Sequence, residues 1–404
     1  MHRRTATCLA TTVLLVAAGG TAASASAPPT PDDRAGAVAV SWQRIALRTV
    51  FTEGAKPPQT GILYLGFASL AVHDAALESL RRGATSSQAA VATAAHDVLS
   101  EYFPASRPNL DADLAATLAL VADGPGEDKG VRIGREAAAD LIASRVGDGR
   151  DDAMVVYAKA PGVGVWQPAP GAAMATAWLG FVDPLVPVRT VTLDGPDDVG
   201  GAAYAADYEE VRRWGAVTST DRTADQTGTA QFFAFNPPVM YRTAVCNLLD
   251  SAPMNLEQTT RLFAATDAAM GNAMIETFRL KFVEGYWRPF QAIAAAADDG
   301  NPDTEPQLGW APLIANPSYS DYTSGHAAAT APFAEIMRRT FGDDTVLRLR
   351  NPALGVDRDY QSLTALEHDA LNARIWGGLH FRDAMEDGYQ LGHEIARLVA
   401  RALR

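Results

Sequence analysis

Residues 322–329, Tyr-Thr-Ser-Gly-His-Ala-Ala-Ala, set a serine and a glycine at the entrance to an alanine-rich run. Alanine is the strongest intrinsic helix former, and serine just ahead of such a run is a preferred N-cap. The stretch therefore reads as the first turn of a helix, whose free backbone N–H groups form an anion-binding end. Two structural roles compete with that reading: Ser324 as an ordinary cap, and His326 as an exposed first-turn residue.

Most of the remaining chain follows the same helical logic. Residues 61–81 put Leu63, Leu65, Phe67, Leu70 and Leu77 on overlapping helical faces, and Gly83 ends the run. Similar patterns occupy about 86–102, 108–123 and 128–146, then Tyr204–Trp214, about 255–282 and about 384–403. Thr223 with Gln226 three residues on predicts a capping box. Strand patterns are scarce, and no repeat of 20–50 residues suggests a solenoid. The expectation is an all-α, multi-helix bundle with one oxyanion pocket between helices. Gly162–Asp198 is rich in Pro and Gly and lacks periodicity, which predicts a loop excursion over a site or between subdomains. We therefore expect one helical domain over 28–404, with an N-terminal part to about residue 200 and a C-terminal part from about 201.

Composition narrows the function classes. The 404 residues are 48% hydrophobic and 20% charged, enough apolar surface for a large core. A net charge of −13 disfavours nucleic acid as a partner, because non-specific binding there needs a basic surface. Any anion site must be built locally. Residues 1–27 combine Arg3 and Arg4, the apolar stretch Cys8–Ala18 and small residues to Ala27, the pattern of a secretory signal peptide. Its cleavage would remove two arginines and leave −15, with Cys246 as the lone cysteine and no intrachain disulfide. No later segment holds 18 consecutive apolar residues, so the expectation is a secreted chain that does not use the membrane.

Two further clusters of basic and imidazole side chains stand in the last third. Lys281-Phe-Val-Glu-Gly-Tyr-Trp-Arg288-Pro289 puts two cations at the end of a long helix ahead of a helix-disfavouring proline, a pattern equally suited to a solvated, dipole-compatible helix end. Arg374-Ile-Trp-Gly-Gly-Leu-His380-Phe-Arg382-Asp383 contains Gly377 and Gly378, which let the backbone bend close to a neighbour; a lone histidine there also suits a core role. Chemically, a tetrahedral oxyanion with two or three charges needs donors on every oxygen. Lys281, Arg288 and Arg374 would supply charge, Ser324 a hydroxyl and Gly325 a backbone N–H. Arginine's planar fork suits such an anion bidentately, so Arg→Lys is not conservative at either position.

The order and spacing of the three clusters resemble the vanadium-dependent haloperoxidase and type 2 phosphatidic acid phosphatase superfamily. Lysine is followed seven and eight residues on by Arg-Pro, Ser-Gly-His comes 36 residues after that arginine, and a later arginine is followed six residues on by histidine. Trp42–Ala76 and Tyr204–Gln226 look like its soluble secreted bacterial haloperoxidase-like branch, so the resemblance covers most of the chain beyond residue 27. It implies vanadate as cofactor, with phosphate competing for the same site, and His380 as the ligand to the metal. His326 would act opposite it as acid/base. The substrates would be hydrogen peroxide, a halide and a small organic acceptor. Two other readings stay open: an acid phosphatase that hydrolyses phosphate monoesters through a phosphohistidine at His380, and a catalytically inactive phosphate- or vanadate-binding protein. The oligomeric state is open as well.

Several positions depart from the family pattern. Thr323 stands where the family usually has proline, Ala373 where it has serine, and Ala384 where a carboxylate usually follows the second histidine by four residues. That last change weakens the phosphatase reading unless Asp383, one position earlier, takes over the support of His380. Tyr319, seven residues before His326, falls at a position the resemblance links to the halide environment. His73-Asp74 and His96-Asp97 read as structural, because sequence neighbours do not face each other on a helix. His393 also reads as structural, and Cys246 as buried and inert. Glu284 would repel an oxyanion, so we expect it turned away or paired with a cation. The lack of a Cys/His cluster argues against structural zinc.

Overall fold

The computed structural model describes residues 31–404; the expected leader, residues 1–27, lies outside them. Thirteen α-helices occupy the described chain: α1 (Pro31–Leu47), α2 (Pro58–Arg82), α3 (Ser87–Tyr102), α4 (Arg107–Leu118), α5 (Pro125–Ser144), α6 (Ala202–Trp214), α7 (Ala224–Phe232), α8 (Pro237–Ser251), α9 (Leu256–Glu284), α10 (Pro289–Ala295), α11 (Gly325–Phe341), α12 (Leu363–Trp376) and α13 (Arg382–Ala402). One antiparallel hairpin, β1 (Leu347–Asn351) and β2 (Val356–Tyr360), pairs Leu347 with Tyr360 and Asn351 with Val356. The protein is all-α apart from this ribbon. Leu347 and Leu349 are buried while Arg348 and Arg350 are exposed, the period-2 alternation of a strand that covers the core on one face.

The boundaries follow local chemistry. Asn255 caps α9 by accepting from the Gln258 N–H at 2.9 Å. The capping box at α7 forms with both bonds in place: Thr223 N–H to Gln226 Oε1 at 2.8 Å, and Gln226 N–H to Thr223 Oγ1 at 3.2 Å. The pattern over 108–123 yields a shorter helix, α4, ending at Leu118. Gly83, just past α2, has φ of 57° and stops that helix where its apolar face runs out.

The long helix α9 is the central post: it packs against α1, α2, α11 and α13, while α2 packs on α3 and α3 on α5. Leu65, Phe67, Phe278 and Met337 are all at most 1% exposed within this assembly. Burial of each such side chain is worth about 1.5–3 kcal/mol. α2 is long and apolar enough to cross a membrane, but 89% of its most apolar window is buried inside the protein.

Residues 145–201 form the irregular excursion expected from their Pro and Gly content, with a single short 3₁₀ turn at Ala177–Phe181. They are tied down by polar contacts to α9 and to the segments that follow it. The side-chain amide of Asn272 accepts from Leu185 N–H at 2.8 Å and donates to Val186 O at 2.6 Å. Trp166 N–H donates to Gly285 O at 2.7 Å, and Ala175 N–H to Ser318 O at 2.7 Å. The excursion thus buttresses both the end of α9 and the loop ahead of α11.

Candidate active site

Four local devices bring the basic clusters together. Lys281 lies in the last turn of α9, and Gly285 at φ 56° ends that helix in the left-handed conformation. The chain then reverses, so that Arg288 stands immediately ahead of α10. Ser324 caps α11, its Oγ accepting from the N–H groups of His326 at 3.2 Å and Ala327 at 3.5 Å. Arg374 is in the last turn of α12. Gly378, at φ 73°, then turns the chain toward His380. A Cβ at Gly378 would lie 2.6 Å from Gly215 O and 2.8 Å from Pro312 Cβ, so the neighbour that Gly377-Gly378 approaches is the backbone after α6.

The resulting pocket is buried. Lys281, Arg288 and Ser324 are fully inaccessible, Arg374 is 5% exposed and His380 2%. Gly325 and His326 are half-buried. Lys281 Nζ donates to Ser320 O at 2.9 Å and Asp321 O at 2.7 Å. The Arg288 fork binds three carbonyls from two loops: Tyr319 O at 2.7 Å, Leu379 O at 2.8 Å and Ser320 O at 3.2 Å. Arg374 differs. Its guanidinium makes no hydrogen bond or ion pair among the described residues, and its Nε is buried without a partner.

Electrostatics follow from this burial. Loss of water holds Lys281 well below the usual ammonium range, with Arg288 and Arg374 adding to the effect, and it lowers Arg374 to about 9. His326 and His380 are both held well below the ordinary imidazole value. For His326 burial leads, with Arg374 the largest of the three cations; for His380 burial leads and Arg288 follows. Both imidazoles are therefore neutral at pH 7.

Sequence reasoning missed Asp321. It is fully buried, and its Oδ1 lies 2.7 Å from Nδ1 of His380, off the ideal hydrogen-bond line, with Nη1 of Arg288 3.9 Å from the same oxygen. Burial pushes its carboxyl up to about 7 against the pull of Arg288 and Lys281. A signal was available: a carboxylate five residues ahead of His326, in a motif built to hold an anion, must be paired with something.

Asp383 does not approach His380. Its carboxylate accepts from Asp197 N–H at 3.4 Å, and its own N–H donates to Asp207 at 2.7 Å. Asp387, one turn on, accepts from the Tyr322 hydroxyl. The carboxylate beside His380 comes instead from the loop ahead of α11. The ring of Tyr319 lies over Lys281 Nζ at 5.2 Å and over Arg288 Cζ at 5.1 Å, an aromatic face on two buried cations.

The remaining singled-out residues lie elsewhere. Glu284 carries its charge toward Arg279, and its carbonyl accepts from Lys159. His73 is buried, lowered to about 4 by desolvation, and bonded through Nδ1 to Thr260 Oγ1 at 3.0 Å. His393 ties α11 to α12 through Glu335 at 3.4 Å and Glu367 at 3.1 Å. Burial pushes the Cys246 thiol up to about 11. His96 corrects the geometric expectation. Its Nδ1 meets the adjacent Asp97 at 2.7 Å while Nε2 meets Asp111 of α4 at 2.9 Å, so the imidazole bridges two carboxylates.

An all-α scaffold here brings three buried cations, two neutral imidazoles and a capped helix start close together. Residues 261–404 match the model of the VCPO second helical-bundle domain. The vanadium chloroperoxidase of Curvularia inaequalis is 26% identical over 181 residues, 37% of this chain and 29% of that protein, so the match spans less than a third of the relative's length. The crystal structure of the first bacterial vanadium-dependent iodoperoxidase superposes with a TM-score of 0.72 at 16% identity, covering 94% of this chain and 99% of that one. The apo-type bacterial vanadium-dependent chloroperoxidase superposes at 0.68, with 16% identity and coverage of 85% and 93%. The fold is that of the bacterial vanadium haloperoxidases, and residues 261–404 carry the sequence likeness to a vanadium chloroperoxidase helical-bundle domain.

Proposed function

We propose that the protein is a vanadate-dependent haloperoxidase, oxidising a halide with hydrogen peroxide and passing the halogen to a small organic acceptor. The observation that carries this reading is Arg374. A buried guanidinium without a hydrogen-bond or ion-pair partner among the described residues, beside buried Lys281 and Arg288 and the carboxyl of Asp321, is a site short of negative charge. A multiply charged tetrahedral oxyanion supplies what is missing, and the donor set fits vanadate. Lys281, Arg288, Arg374, the Ser324 hydroxyl and the Gly325 N–H would hold its oxygens, and His380 would ligate the metal.

When bound, vanadate supplies a Lewis-acidic centre that polarises hydrogen peroxide toward attack by halide without a change in oxidation state. The chain contributes fixed donors in a water-poor pocket, where they stabilise developing oxygen charge without reorganising. His326 places Nε2 at 3.1 Å from Phe233 O, which assigns the proton to that nitrogen and leaves Nδ1 as a base. Its neutrality at pH 7 lets it take a proton from peroxide and return one to a leaving oxygen.

The test is halogenation of a dimedone-type acceptor with hydrogen peroxide and bromide or iodide, before and after loading with orthovanadate, alongside hydrolysis of an aryl phosphate. Halogenation that depends on vanadate and is abolished in His380→Ala supports the reading. Aryl phosphate turnover without halogenation would assign the site to a phosphatase. Thermal stabilisation by phosphate or vanadate with no turnover would assign it to a binding protein. Export from the cell, proposed from residues 1–27, is tested by sequencing the amino terminus of protein recovered from the medium.

A further inference from the structure

We propose that Asp321 is the positioning residue that fixes the tautomer and orientation of His380, in place of the carboxylate missing at Ala384. The proposal rests on the reading of His380 as the group that meets the anion. Two neighbours specify one tautomer independently. Nδ1 of His380 faces a carboxyl oxygen of Asp321 at 2.7 Å, and the ionised carboxylate can only accept. Nε2 faces Nη1 of Arg288 at 3.4 Å, and a guanidinium can only donate. The proton therefore belongs on Nδ1, and the lone pair of Nε2 is left beside the cations that would hold the anion. An imidazole with the opposite tautomer would present N–H to N–H at Arg288 and a lone pair to the carboxylate.

Asp321 is itself held rigidly. Its N–H donates to Tyr286 O at 2.9 Å, its carbonyl accepts from Lys281 Nζ at 2.7 Å, and its Oδ2 accepts from Phe381 N–H at 3.4 Å. These contacts join the loop ahead of α11, the segment after α9 and the segment carrying His380. A shift of Asp321 would therefore be transmitted to the imidazole directly.

The experiment uses the protein labelled with ¹⁵N-histidine, with His380 assigned by the loss of its signals in His380→Ala. Long-range ¹H–¹⁵N correlations on the anion-free protein read the tautomer, and calorimetry with inorganic phosphate and with orthovanadate reads affinity. We expect a protonated Nδ1 and an unprotonated Nε2 in the wild type. Asp321→Ala should lose that pattern and weaken orthovanadate binding about 10–100-fold, the usual effect on metal affinity of removing a supporting partner of a ligating histidine. Asp321→Asn, which keeps the shape and an acceptor oxygen, should recover the Nδ1–H pattern and part of the affinity. A proton on Nε2 in the wild type overturns the proposal whatever the variants do. So does Asp321→Ala that keeps both the Nδ1–H pattern and an affinity within twofold of wild type. Failure of the wild type to bind either anion would instead sink the reading of the pocket, since the tautomer is measured without any anion.

Discussion

Arg288 and His380 meet across 3.4 Å, Nη1 against Nε2, with both side chains buried. Nη1 also donates to Leu379 O, while Nε and Nη2 donate to Tyr319 O and Ser320 O, so the fork that flanks the histidine clamps the loop ahead of α11 to the segment that carries His380.

This geometry makes Arg288→Lys a severe change despite the retained charge. An ammonium cannot serve the carbonyls of Tyr319, Leu379 and Ser320 in one plane, and each buried carbonyl left unbonded costs about 1–3 kcal/mol. We expect a loss of about 2–4 kcal/mol in denaturant unfolding, together with a clear fall in phosphate affinity. A variant within 0.5 kcal/mol of wild type would contradict the clamp.

Arg374 should behave in the opposite way. Arg374→Met removes a buried charge that has no partner in the anion-free protein, so in phosphate-free buffer the variant should unfold at a higher temperature. It should also lose the stabilisation by added phosphate, which for the wild type is about 2.7 kcal/mol at 100 times the dissociation constant. Because Arg374 is lowered to about 9, anion binding by the wild type should weaken as pH rises past that value. Differential scanning calorimetry with and without phosphate, and a binding series from pH 7 to 10, check these outcomes.

His326→Ala separates proton transfer from anion binding. The ring lies opposite His380 in the proposed mechanism but makes its one hydrogen bond to Phe233 O. Halogenation should fall about 10²–10⁴-fold, with phosphate affinity changed only a few-fold. A parallel loss of affinity and turnover would show instead that His326 holds the anion.

A cluster of carboxylates beside the site makes stability depend on pH. Burial, with neighbouring carboxylates adding to it, pushes Asp383 up to about 7; burial also leads at Asp207, raised to about 6. The folded protein therefore holds these protons more tightly than the unfolded chain does. Their favourable contribution is complete below about pH 4 and is lost as pH rises through 6 to 7. Asp383→Asn should match wild type near pH 4 and exceed it at pH 8, with a rise on the order of 1–3 °C in Tm. Equal Tm values at both pH values would contradict the assignment.

The sequence alone determined the helices and the identity of the basic set. Apolar spacing in 61–81, the Asn255 and Thr223 caps and the alanine run after Gly325 are local signals, each read within one or two turns. The order of Lys281, Arg288, Ser324-Gly325-His326, Arg374 and His380 was likewise visible as spacing, and in the structure Lys281, Arg288, His326, Arg374 and His380 lie within electrostatic reach of one another. Only the tertiary structure could decide how those groups are balanced. Asp321 and His380 are 59 positions apart, and nothing in their local sequences sets the 2.7 Å approach. The same holds for the absence of a partner at Arg374, and for His96, whose contact with Asp97 comes together with a second contact to Asp111 from α4. Propensities and caps act through neighbouring backbone, whereas charge balance and desolvation depend on every element packed around a buried group.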